Sequence, residues 1–209
     1  MDEVNVMKQT KTISEAAFEN FLNENKLLFD HIEEASTPRP DYLVHAGDLK
    51  LIFEVKELGE DENFREVHDP GARIFRVHSR IVGDHVRRKI SEAKKQIQYA
   101  AKQGIPSILL IYNNLDPLFL FGTEDHDFIT AMYGEYTLTI DKATNKIAGE
   151  PFFGRNQSLS EIKNTSFSAV GRLHPKTGIT LFENAFAKIK LPYDKMPPCF
   201  EVRRVAITR

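Results

Sequence analysis

Residues 12–29 read TISEAAFENFLNENKLLF, in which Ala17, Phe18, Phe21, Leu22, Leu28 and Phe29 recur at helical spacing on one face. Thr12 and Glu15 have the capping-box spacing that opens a helix. The pattern predicts a helix over 12–29, and STPRP at 36–40 breaks the chain after it. Two strand-like runs follow, DYLVHA and LKLIFEVKEL, separated by Gly47-Asp48, a pair suited to a two-residue hairpin loop. With that loop, Ala46 faces Leu49 and Asp41 pairs with Glu54. Side chains alternate along a strand, so Glu54 and Lys56 share one face while Leu51, Phe53 and Val55 take the other. Asp41, Glu54 and Lys56 therefore converge near the open end of the hairpin.

Residues 59–82 are long, polar and irregular. DHVRRKISEAKKQIQYAAKQ at 84–103 predicts a helix with Val86, Ile90, Ala93, Ile97 and Ala100 or Ala101 inward, capped by Gly104 and ended by Pro106. PSILLIYN at 106–113 is a continuous apolar run, expected as a buried central strand. A short helix is expected at 125–133. From Tyr136 to Arg209 the pattern is mostly β, with turns at ATNK and PKTG and a hairpin at 166–184. The reading is an α/β chain forming a single domain over 1–209. Its core spans about 12–125 and a mostly β extension about 126–209.

The chain is 209 residues long, 41% hydrophobic and 28% charged, with a net charge of -2, so any affinity for a polyanion has to be local. A single cysteine, Cys199, excludes an internal disulfide and a Cys-based zinc cluster and suits a reducing compartment. The N-terminal stretch lacks a signal-peptide pattern, and the longest apolar run is too short for a bilayer span. A cytoplasmic protein without a membrane partner is expected. EDHD at 124–127 reads as an acid-rich helix start rather than a metal tract.

Two carboxylates a few ångströms apart in a half-buried site repel, and at neutral pH a cation between them relieves the repulsion. Oxygen donors from Asp and Glu suit hard divalent ions, Mg²⁺ or Mn²⁺. An ammonium beside such an ion can orient a water or offset charge on a phosphate.

Pro40-Asp41 followed by Glu54-Val55-Lys56, "RPDYLV…LIFEVKE", resembles the PD-(D/E)xK motif of the restriction-endonuclease-like nuclease superfamily. The resemblance covers about half the chain. It implies a central mixed sheet flanked by helices in αβββαβ order and a nuclease that hydrolyses phosphodiester bonds of DNA. It also implies Mg²⁺ held by Asp41, Glu54 and the carbonyl of Val55, with Lys56 acting on the attacking water. Many members add a glutamate from the first helix; Glu15 and Glu19 are the candidates, with Glu15 preferred. Gln96 answers to a glutamine found on the helix after the motif, although Tyr99 stands three residues later where the family's tyrosine stands four later. A homodimer is in keeping with cutting both strands of a duplex.

Residues 54–69 carry a net charge of -5, and residues 73–95 a net charge of +6. Arg76, Arg80, Arg87, Arg88 and Lys89 are the expected contacts for a nucleic-acid backbone, positioning it without reading sequence. The alternative function is a non-catalytic module on the same fold that binds nucleic acid or protein.

Overall fold

Thr12 opens the first helix as its sequence requires. Its hydroxyl accepts the Glu15 N–H, and the Glu15 carboxylate accepts the Thr12 N–H at 2.7 Å. In the computed structural model, which describes residues 11–33, 37–59, 81–115, 120–205 and 207, this capping box starts α1 (Ile13–Glu24). The helix stops five residues short of the Phe29 expected from periodicity. Asn25 donates its side-chain amide to the Phe21 carbonyl at 2.8 Å, and Lys26 turns the backbone left-handed with φ 56°. Leu28 is 75% exposed, so its helical spacing does not reflect a core face. Leu28 and Phe29 belong instead to an edge strand, β1 (Leu28–His31).

The hairpin forms in the expected register. β2 (Tyr42–Ala46) and β3 (Leu49–Leu58) pair antiparallel, from Ala46 opposite Leu49 to Tyr42 opposite Phe53. Gly47 supplies the turn with φ 62°, a conformation other residues adopt at a cost.

The helix expected at 84–103 is present in two pieces, α2 (Asp84–Glu92) and α3 (Lys94–Ala101), offset at Ala93. Val86, Ile90, Ala93, Ile97 and Ala100 are buried, as the apolar spacing requires. β4 (Ser107–Asn113) is buried along its whole length, and α4 (Asp125–Tyr133) lies where a short helix is expected. β5 (Tyr136–Thr137) and β6 (Phe152–Phe153) make a small separate ribbon. The expected tail hairpin is β7 (Ala169–His174) with β8 (Gly178–Glu183), followed by β9 (Phe200–Arg203).

The result is an α/β protein with a mixed seven-stranded sheet in the order β1-β2-β3-β4-β7-β8-β9. β3, β4 and β7 run parallel, and the β1–β2, β2–β3 and β7–β8 pairs are antiparallel. The C-terminal strands thus continue the sheet begun by the hairpin. Phe18 and Leu22 of α1 pack on Phe53, Val55, Leu110 and Leu181. The opposite face is covered by α2, α3 and α4, through Val86, Ile97 and Phe128 against Leu109, Ile111 and Val170. Both layers are needed because a central parallel strand exposes apolar side chains on both faces. No helix among the described residues is long and apolar enough to cross a membrane.

Candidate active site

Alternation along β3 sends Leu51, Phe53 and Val55 into the layer beneath α1, and Glu54 and Lys56 to the face covered by α2 and α3. Asp41 continues the hairpin register one step beyond Tyr42. Its N–H donates to the Phe53 carbonyl at 3.1 Å, and its Oδ2 accepts the Val55 N–H at 2.7 Å. The proline-bounded segment before β2 therefore delivers a carboxylate to the backbone of the ExK triplet.

Glu54 is 1% exposed. Lys56 Nζ lies 2.7 Å from Glu54 Oε1, a charge contact, yet neither carboxylate oxygen receives an aligned hydrogen bond among the described residues. A buried carboxylate in that condition is costly as an anion. Burial, then the nearby Asp41 charge, push the Glu54 carboxyl up to about 7, while Lys56 acts in the opposite direction. Burial also raises Asp41 above the ordinary carboxylate range, against the lowering by the Val55 hydrogen bond and by Lys56. For Lys56, burial disfavours the ammonium, but the Glu54 carboxylate outweighs it and holds the group above the usual lysine value.

Glu15, Asp41, Glu54, Lys56 and Gln96 line one cavity of about 380 Å³. These five come from the start of α1, the approach to β2, the middle of β3 and the first turn of α3. Glu15 reaches it while its Oε2 caps α1. Glu19 does not line the cavity. It takes the Lys11 ammonium at 2.6 Å and the Tyr42 hydroxyl at 3.0 Å. Val55 contributes backbone, its side chain being 6% exposed in the layer under α1.

Of the five basic residues expected to hold nucleic acid, three are described. Arg76 and Arg80 lie outside the described residues. Arg87 braces helices, donating from Nε to the Asn156 carbonyl at 3.0 Å and from Nη2 to that of Thr130 at 3.5 Å. Arg88 meets the His85 ring nitrogen at 2.7 Å, and Lys89 pairs with Glu92 at 2.8 Å. None of Arg87, Arg88 and Lys89 lines the cavity.

The lining also includes three basic side chains not expected from the sequence: Lys11, His31 and Arg39. Arg39 stands between two prolines, two positions before Asp41, and that closeness was a usable signal. His31 was hidden by the expected helix end, since it reaches the cavity only as the last residue of β1.

The ligand atoms of Glu124, His126 and Asp127 lie within 4.8 Å of one another. Their carboxylates serve the start of α4 instead. Gly122 N–H donates to Glu124 at 2.8 Å, and Asp127 accepts Gly83 N–H at 2.9 Å and Glu124 N–H at 3.2 Å. Gly83 is required at that contact because a Cβ there would lie 2.8 Å from the α4 backbone.

No family model, curated protein or solved structure matches this chain.

Proposed function

We propose that the protein is a metal-dependent nuclease of the restriction-endonuclease-like fold that hydrolyses phosphodiester bonds of DNA. The observation that carries this reading is the Glu54 carboxylate. It is buried beside Asp41, pushed up to about 7, contacted by Lys56, and without an aligned hydrogen bond on either oxygen among the described residues. A structural carboxylate at that depth is normally saturated with donors. Here Lys56 meets Oε1 alone, and Oε2 has no donor among the described residues, which suits a carboxylate placed to receive a cation.

The donor set fits Mg²⁺ or Mn²⁺, with Asp41, Glu54, Glu15 and the Val55 carbonyl as hard oxygen ligands. When bound, such an ion supplies Lewis acidity at a phosphate and lowers the pKa of a water. The chain's own groups do the positioning. Lys56 stays an ammonium at neutral pH and directs N–H donors at a phosphate oxygen or at the lone pair of the attacking water. Glu54 orients Lys56 through their 2.7 Å contact. Gln96 adds an amide from the α3 side of the cavity. The Asp41–Val55 bond keeps the two carboxylates from moving apart.

The test is cleavage of end-labelled single-stranded, duplex and branched DNA and of RNA, in Mg²⁺, Mn²⁺ or EDTA, beside Glu54→Ala and Lys56→Ala. Metal-dependent cutting lost in both variants is expected. Absence of cutting on every substrate, with both variants binding metal and nucleic acid like the parent, would overturn the reading.

A further inference from the structure

We propose that the exposed face of α3 is a track for the sugar-phosphate backbone of a nucleic-acid strand, with Lys95, Lys102 and Lys188 holding its phosphates. The track's origin rests on the reading of the cavity as the place of the scissile phosphate.

α3 connects two cavities. Gln96 lines the first, and at the other end Gln98, Lys102, Thr165, Ser166 and Lys188 wall a second of about 340 Å³. Gln96 and Lys102 are six residues apart, about 9 Å of helix rise, within reach of a few nucleotides. Arg39 ties the first cavity to the α3 helix. It lines the first cavity, and its guanidinium carbon sits 5.9 Å from the ring centre of Tyr99 on α3.

Among the described residues, the charge carried by α3 and its C-cap has one sign. From Lys94 to Gln103 the chain holds three lysines and no acid. Lys94, Lys95, Lys102 and Lys188 are exposed, and none makes an ion pair among the described residues. The neighbouring cations differ. Lys89 pairs with Glu92, Arg87 is spent on carbonyls, and Lys190 donates to the Asn184 and Ala185 carbonyls. Exposed ammonium groups without acidic partners, flanked by Ser, Thr and Gln donors, suit phosphates. They place a backbone without reading its bases.

Binding is measured by fluorescence anisotropy with labelled single-stranded DNA and its duplex, in EDTA, so that it is separate from cutting. Lys95→Glu/Lys102→Glu is compared with Lys142→Glu/Lys146→Glu, which makes the same charge change on the exposed 141–146 turn. The α3 pair is expected to weaken binding at least tenfold and to lower the slope of log K against log salt by about 0.7–0.9 for each phosphate no longer neutralised. The control pair should leave both near the parent. Equal weakening by the two pairs, or none by either, overturns the track. Parent protein that cuts nothing, with binding still lost only in the α3 pair, leaves the track standing and removes the nuclease reading. Parent protein that cuts, with both pairs binding and cutting like it, removes the track alone.

Discussion

The Asp41 carboxylate accepts the backbone N–H of Val55 at 2.7 Å. This bond ties the residue before β2 to the centre of the ExK triplet, so one side chain fixes the hairpin end and carries charge into the cavity. The two duties can be separated by substitution.

Asp41→Asn keeps an oxygen that can accept the Val55 N–H but removes the charge. Its unfolding free energy should stay within about 1 kcal/mol of the parent. Mn²⁺ affinity, read by titration calorimetry, should fall at least about tenfold, because affinity follows the number of charged ligands. Asp41→Ala should lose affinity and also about 1–3 kcal/mol of stability, since the Val55 amide is left without its partner. Parent-like Mn²⁺ binding by Asp41→Asn would remove Asp41 from the ligand set.

Glu54 should make the metal-free protein less stable as pH rises. Its carboxyl is pushed up to about 7 from 4.5, so between those values the folded state keeps a proton that the unfolded chain has lost. By linkage, stability is fully present below about 4.5 and falls as pH climbs through 7. That rise corresponds to at most about 3 kcal/mol. Urea unfolding in EDTA across this range should show the decline, and Glu54→Gln should flatten it. An equal slope in Glu54→Gln would mean that other groups set the dependence.

Lys56→Met should separate chemistry from metal binding. The ammonium competes with a cation for Glu54, so its removal should leave Mn²⁺ affinity unchanged or raise it. The cutting rate should fall about 10²–10³-fold, the usual loss for one preorganised donor. Calorimetry and single-turnover cleavage read the two effects. A parallel loss of affinity and rate would make Lys56 a structural support of the site.

Arg172 offers a control that does not line the cavity, although it lies two strands from Lys56 in the same row of the sheet. It is 5% exposed, and its Nη1 donates to the Thr123 carbonyl at 2.9 Å and to Asp125 at 3.0 Å. Arg203 also pairs with Asp125. Arg172→Met should cost about 2–3 kcal/mol by urea unfolding while Mn²⁺ affinity stays at the parent value. A stable variant with altered metal binding would connect this network to the site.

The sequence by itself determined the hairpin and the convergence of Asp41, Glu54 and Lys56. Period-two alternation and a two-residue turn fix the register, and the register fixes which side chains share a face. It also determined the burial of β4, because a run of seven apolar or neutral residues without charge leaves few other placements. Tertiary structure decided the rest. Leu28 and Phe29 have helical spacing, but pairing with β2 outweighs so weak a local preference and makes them a strand. Glu15 and Glu19 are both candidates on paper, with Glu15 preferred. The crossing of α1 over the sheet turns Glu15 to the cavity and gives Glu19 to Tyr42 and Lys11. Arg87 and Lys95 look alike as basic residues of one expected helix. Packing of α2 against α4 commits the first to carbonyls, while the face of α3 turned to solvent leaves the second exposed. Local pattern encodes the face a side chain takes on its own element. Which neighbour that face meets depends on contacts between residues distant in sequence, and those exist only once the sheet and helices have assembled.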